Sequence, residues 1–591
     1  MGITMNKLNV SLLSLTCLSI AFGCTQSTHD AAHPIVKSVN SKVSAADKNF
    51  SRACSDIAKF FNKDIHILKS EFKSTGQFTL APNLKKSTDP LLSLPEHCEI
   101  IGSLQERIGV DHQSYSIKFH LRLPTQWNNR LYMEGGGGTN GNLSDAIGFQ
   151  TEGGTAISKG YAVLSQDSGH DNSINSDTNK GGITAFGLDP ISRANYGGKS
   201  LPLVVIASKK IIQHYYNKTP VYSYFVGCSK GGQEGMMLAQ VYPELFDGII
   251  AGAPGMSLPR AAIAEAWDTQ SFAQAARKPV TLNSLAQSFS DGDLQLVSNA
   301  VLSSCDQLDG LKDGMINNFP ACKSEHVLSK LREKLCVDKK DAQCLTKDQV
   351  IAIEHVQRGP TDEKGKSIYT SFPWDAGWAD AGWRLWKIGS VDGKSPPINV
   401  LMGAPALANI FTVPPKRLAF DLEKSFEYAL SFDVQRHTQS IYAHGGEFST
   451  SAWQDISARS NDLDGFRKRG GKLIVPHGVS DPVFSINDTI NWWHEVDARY
   501  KGEAANTVRV FPVPGMTHCG GGPAASNFDA FSHLVEWVEH KNAPDFIQGT
   551  AGESSPWPRR TRPLCVYPAT AYYNGGDSES ATSFSCKYFS H

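Results

Sequence analysis

The sequence predicts an α/β protein with a mostly parallel sheet, broken by one large insertion. From residue 114 onward short apolar runs alternate with helix-like segments, a pattern that needs crossover connections and favours parallel strands. The alternation stops after Gly255 and resumes at "GGKLIVPHGVSDPVF", with irregular text rich in Asp, Gly, Pro and Trp between. A length of 591 residues exceeds one simple domain and suits a core plus insert.

The N-terminus opens "MGITMNKLNVSLLSLTCLSIAFGCTQSTHD". Lys7 precedes an apolar run from Val10 to Phe22 that is too short to span a bilayer, so residues 1–24 read as an export signal. Gly23-Cys24 has the form of a lipoprotein cleavage site, although Ala21 stands where such sites carry Leu; simple signal cleavage is the alternative. The mature chain is therefore expected to be secreted or periplasmic, or lipid-anchored. No later segment reads as a transmembrane helix. A net charge of -1, with 19% charged residues, argues against nucleic acid as a partner.

After a polar stretch to about residue 50, the core begins. The successive segments are "SYSIKFHLRLP", "RLYMEGGGG", "GYAVLSQDSGH", "LPLVVIASKKIIQHYY", "VYSYFVG" and "FDGIIAGAPG". Residues 50–255 form the first part of the core, 256–465 the insertion and 466–591 the second part. In that last part "NTVRVFPVPGMTHCGGG" reads as a strand and loop. "FDAFSHLVEWVEHK" reads as a helix burying Phe528, Phe531, Leu534, Val535 and Val538.

Ten cysteines remain beyond the signal, and an even number in an exported chain implies disulfides. Local spacing suggests Cys54–Cys98, Cys305–Cys322, Cys336–Cys344 and Cys565–Cys586. Cys228 and Cys519 are left as partners; two buried free thiols are the alternative.

Gly227-Cys228-Ser229-Lys230-Gly231 fits G-x-S-x-G, in which a strand turns sharply into a helix and exposes the serine oxygen. A glycine-rich turn with a solvated serine would look the same in isolation, but "VYSYFV" before it and "GQEGMMLAQVYPELF" after it supply the strand and helix. A serine needs a histidine base held by a carboxylate. Asp481 in "VPHGVSDPVF" and His518 in "PGMTHCGGG" follow in the chain order that this motif's fold uses. Rival histidines read otherwise: His533 and His540 face water on one helix, His494 packs beside Trp493, and Asp488 reads as a helix cap. Of these histidines only His518 adjoins a cysteine, Cys519, so a bridge to Cys228 would tie the base to the nucleophile.

An oxyanion needs backbone N–H donors already aimed at it. "YMEGGGGTNG" ends a strand in four glycines, so the expected donors are the amide of Lys230 with that of Gly137 or Gly138; a plain tight turn is the alternative. In "CDQLDGLKDGMINNFPAC", Asp306, Asp309 and Asp313 share one loop and offer hard oxygen ligands that suit calcium, completed by the carbonyls of Leu311 and Met315. No glutamate closes it as in an EF-hand, and a run of Asp-Gly turns is the alternative.

Together, "GCSKGGQEG", "YPELFDGIIAGAPG", "HGVSDPVF", "GMTHCGGG" and "RPLCVYPATAYYNGG" resemble the tannase and feruloyl esterase family over nearly the whole mature chain. The resemblance implies an α/β-hydrolase core, a lid over 256–465, a triad of Ser229, Asp481 and His518, and structural Ca2+ in the lid at Asp306, Asp309 and Asp313. It implies a secreted serine carboxylesterase acting on small or polysaccharide-linked esters of aromatic acids of the hydroxycinnamic, feruloyl type. The alternatives are a gallate or other aromatic monoester hydrolase or, from another class, a calcium-dependent carbohydrate-binding or adhesion module. His477, Phe484 and Phe411 are expected to line the pocket, and Trp383 and Trp386 stand in a Trp-rich stretch that could stack on an aromatic ring, with lid core as the alternative for four tryptophans so close together. The family's terephthalate branch holds its substrate's free carboxylate with a lid arginine, and the corresponding "LMGAPALANIF" has none. Lys230 stands where many relatives have Thr, a change that leaves its amide in place.

Overall fold

In the computed structural model, which describes residues 45–61, 65–78, 92–148 and 154–589, one nine-stranded sheet draws its strands from two separate parts of the chain. The first part supplies β1 (His66–Lys73), β2 (His97–Ile108), β3 (Ser114–Pro124), β4 (Arg130–Glu134), β5 (Ala162–Gln166), β6 (Tyr222–Cys228) and β7 (Gly248–Gly252). The second supplies β8 (Lys472–Gly478) and β9 (Val508–Val513). Their order is β1-β2-β3-β5-β4-β6-β7-β8-β9. From β5 to β9 every pairing is parallel, whereas β1, β2, β3 and β5 pair antiparallel. The export signal expected over residues 1–24, with Cys24, lies outside the described residues.

The central strands are apolar throughout because helices cover both faces. Neighbouring residues point to opposite sides. Phe225, Ile249 and Val475 pack with Leu201 and Val204 of α1 (Ser200–Tyr216), Met236 of α2 (Lys230–Val241) and Trp492 of α4 (Ile486–Arg499). Tyr224, Ile250 and Ile474 pack with Phe531, Leu534 and Trp537 of α5 (Ala530–His540). Of the residues expected inside on this helix, Phe531, Leu534 and Val538 are buried and Val535 partly so, while Phe528, also partly buried, precedes the helix start at Ala530; Trp537, not among those expected, completes the stripe.

Between β7 and β8 the chain is helical and adds no strand to the sheet, beginning with α3 (Leu258–Ala275). Trp374, Trp378 and Trp383 stack in succession, 5.0 Å between ring centroids, and form part of its core. One carboxylate ties this segment to the sheet's C-terminal loops: Asp375 accepts from Ser480 Oγ and from the Gly515 amide, both at 2.7 Å. Among the described residues five disulfides form: Cys54–Cys98, Cys305–Cys322, Cys336–Cys344 and Cys565–Cys586, the pairs that local spacing suggested, and Cys228–Cys519, the pair left over.

Candidate active site

Ser229 stands at the turn from β6 into α2 with φ 65° and ψ -120°, a conformation costly to a residue with a side chain. Glycine permits the close backbone approach around it. A Cβ on Gly227 would lie 2.6 Å from the Gly231 carbonyl carbon, and one on Gly135 would lie 2.8 Å from the Cα atoms of both Gly227 and Gly231. Three glycines from two segments thus pack backbone to backbone, and the turn is held by the Ser229 amide donating to the Gly252 carbonyl at 3.0 Å.

His518 lies in the loop after β9 and Asp481 in the loop after β8. Ser229 Oγ is 2.8 Å from His518 Nε2, and His518 Nδ1 is 2.8 Å from Asp481 Oδ2. The second Asp481 oxygen accepts from the amides of Val483 and Phe484, at 2.8 and 3.0 Å. Burial pushes the Asp481 carboxyl up, but His518 and His477 together outweigh it and hold it well below the usual carboxylate range. The disulfide Cys228–Cys519 joins the residue before Ser229 to the residue after His518.

His477 does not line a pocket. It is 0% exposed, with Nδ1 2.9 Å from Thr489 Oγ1 and Nε2 donating to the Phe484 carbonyl at 2.8 Å, 3.6 Å from Asp481 Oδ2. Its place is behind the aspartate, because it sits on a fully buried strand end. Phe484 and Trp386 instead pack against the His518 imidazole in T-shaped arrangements, each with centroids 5.4 Å away. Phe411 joins Phe484, Val483 and Leu258 in one apolar cluster. Trp383 belongs to the tryptophan stack, so the two tryptophans divide between core and site.

The glycine loop is fixed at three points: the Gly136 amide donates to Glu234 Oε2 at 3.0 Å, the Gly137 carbonyl accepts from Asn140, and the Gly138 carbonyl accepts from Tyr196 Oη at 3.1 Å. Among the described residues no acceptor meets the amides of Gly137 or Gly138. The Lys230 amide opens α2, where helix geometry supplies no partner. The rivals are engaged elsewhere: His494 bonds Tyr567, His540 pairs with Glu536, and Asp488 pairs with Arg459 while Ser485, not Asp488, caps its helix.

In the Cys305–Cys322 loop, Asp306 accepts from the amides of Asp313 and Gly314, and Asp309 from Asn317 at its amide and side chain. Neither forms an ion pair among the described residues, and burial raises both, Asp309 to about 7. Two such carboxylates have the donor chemistry of a calcium site. Asp313 is engaged by Arg560 and Arg562 of the C-terminal ribbon. Among the described residues no group of three or more His, Cys, Asp or Glu is gathered as for a metal ion.

Residues 98–587 match the family model described as tannase and feruloyl esterase. The chain is 40% identical over 524 residues to mono(2-hydroxyethyl) terephthalate hydrolase of Piscinibacter sakaiensis, covering 85% of this chain and 86% of that protein. It is 28% identical over 478 residues to a probable feruloyl esterase of Arthroderma benhamiae, covering 79% and 81%. Feruloyl esterase B from Aspergillus oryzae superposes with a TM-score of 0.68 at 20% identity over 91% of this chain and 100% of that one, which establishes the α/β-hydrolase fold. The chain is a carboxylic ester hydrolase, and it belongs to the tannase and feruloyl esterase family.

Proposed function

We propose that the protein is a secreted serine esterase that hydrolyses esters of aromatic acids through Ser229, His518 and Asp481. The unbroken line of hydrogen bonds from Ser229 Oγ through His518 to Asp481 carries this reading. His518 Nε2 takes the hydroxyl proton as Ser229 Oγ attacks the ester carbonyl. The amides of Lys230 and of Gly137 or Gly138 receive the negative charge, and His518 returns the proton to the departing alcohol. Water then repeats the sequence on the acyl-enzyme, with Asp481 keeping the imidazole in the tautomer that presents Nε2.

An aromatic acyl group is supported by Phe484 and Trp386 flanking His518 and by Phe411 in the adjoining cluster. Hydroxycinnamate esters fit this apolar wall. A terephthalate monoester is the second reading, favoured by the 40% identity to the hydrolase named for one; residues 401–411 contain no arginine to meet a second carboxylate. Export is supported by five disulfides and the N-terminal sequence. Calcium at Asp306 and Asp309, with the carbonyls of Leu311 and Met315, would neutralise buried charge and stiffen that loop.

The test is a panel of methyl ferulate, methyl gallate and mono(2-hydroxyethyl) terephthalate with native protein and Ser229→Ala. Loss of all turnover in a folded Ser229→Ala protein is expected, with ferulate the fastest substrate for the native enzyme. Persistent hydrolysis by the variant refutes the nucleophile, and gallate or terephthalate as the fastest substrate refutes the acyl preference.

A further inference from the structure

The Lys230 side chain does not follow its amide toward the reacting atoms but runs back under the glycine loop. Its ammonium lies 3.1 Å from Glu234 Oε1, one helical turn on, and both side chains are 1% exposed. Glu234 Oε1 also accepts from Asn140 Nδ2 at 2.8 Å and from Gln166 Nε2 and Ser168 Oγ at 3.3 Å, while Oε2 accepts from the Gly136 amide. On its other side the ammonium sits 4.5 Å from the Tyr196 ring centroid, and Tyr196 Oη donates to the Gly138 carbonyl. One cation at the nucleophile turn is thereby linked to both ends of the loop, through Glu234 to Gly136 and through Tyr196 to Gly138.

We propose that Lys230 and Glu234 form a buried charged brace, a pair of positioning residues that holds the glycine loop against the nucleophile turn so that the oxyanion donors from the two segments converge. This rests on Ser229 being the nucleophile. Burying two charges is costly, and the arrangement offsets that cost by meeting the carboxylate with five donors. An amide in place of Glu234 cannot serve them, since its NH2 would face donors on one arm or the other. Burial pushes the Lys230 ammonium down, and Glu234 works against that. Since only the transition state carries the full oxyanion charge, a displaced loop should lower kcat and leave KM nearly unchanged.

The experiment compares Lys230→Met, Glu234→Gln and the double variant with native enzyme, using methyl ferulate turnover, inhibition by an aryl trifluoromethyl ketone and thermal unfolding. Each single variant should lose on the order of 10- to 100-fold in kcat, with KM held within about threefold and the ketone Ki rising by the factor lost in kcat/KM. The double variant removes the unpaired charge, so it should regain thermal stability without regaining kcat. Folded single variants with native kcat and Ki, or a double variant that recovers both stability and kcat, would overturn the brace. Failure of the nucleophile reading looks different: native enzyme would ignore the ketone and Ser229→Ala would still turn over.

Discussion

Cys228 and Cys519 are bonded to each other with Cα atoms 6.1 Å apart, although 291 residues separate them in the chain. Each adjoins a member of the Ser229–His518 hydrogen bond, so one covalent link spans the two loops whose relative position sets that 2.8 Å contact. Closing so long a loop stabilises the fold by at most about 5 to 6 kcal/mol on a chain-entropy model. Replacing both cysteines by serine should therefore lower the midpoint of chemical denaturation. Below that transition kcat should also fall, on the order of 10- to 100-fold, because the base is no longer held in place. A double variant that is less stable but fully active in mild conditions would confine the bridge to stability.

Asp481 is held ionised by His518 and His477 despite full burial. Asp481→Asn can keep much of the geometry but favours the wrong imidazole tautomer, so kcat should fall by roughly 10⁴-fold with little change in circular dichroism. Steady-state kinetics on methyl ferulate checks this, and a loss below about tenfold would contradict the assigned role.

Gly135 meets Gly227 and Gly231 backbone to backbone. Gly135→Ala places a methyl carbon 2.8 Å from two Cα atoms, neither of which can rotate away. The turn or the loop must shift, and a destabilisation of about 1 to 3 kcal/mol with loss of most activity is expected from urea unfolding and kinetics. Native stability in this variant would show that the approach is looser than described.

Trp386 makes a T-shaped contact with His518 from the segment between β7 and β8. Trp386→Ala should raise KM for methyl ferulate more than for an aliphatic ester of the same alcohol, because the ring supplies contact area to an aromatic acyl group. Equal effects on the two substrates would assign the tryptophan to packing alone.

Asp375 is buried at the junction of the insert with the loops bearing Asp481 and His518, and burial raises its carboxyl to about 6. The sign follows from an acid whose folded value lies above its unfolded one. Above pH 6 the carboxylate is ionised in both states and the fold bears the full cost of burying it; the cost fades as pH falls from 6 toward 3.8. Asp375→Asn keeps an oxygen to accept from Ser480 and Gly515. Its stability relative to native protein should rise between pH 5 and pH 8 by about 1.4 kcal/mol, measured by thermal unfolding. A difference independent of pH would refute the buried ionised state.

The parallel strands, the sharp turn at Ser229 and four of the cysteine pairs are legible in the sequence because each depends on residue type over a short span: apolar runs, two glycines flanking a serine, cysteines at close spacing; Cys228–Cys519 is legible only as the pair left over. Asp481 and His518 are legible because each follows a buried strand in a glycine-bearing loop. Lys230 and Glu234, four residues apart on one helix, carried a signal for their ion pair that the sequence reading left unused. Other features had no local signature. Whether His477 lines a pocket or backs Asp481 depends on Thr489 and Phe484 closing over it, and Asp313 meets Arg560 and Arg562 from a ribbon some 250 positions on. Tertiary structure decided these because burial and charge pairing depend on which distant segments come together, and a side chain's neighbours across such gaps leave no period in the chain.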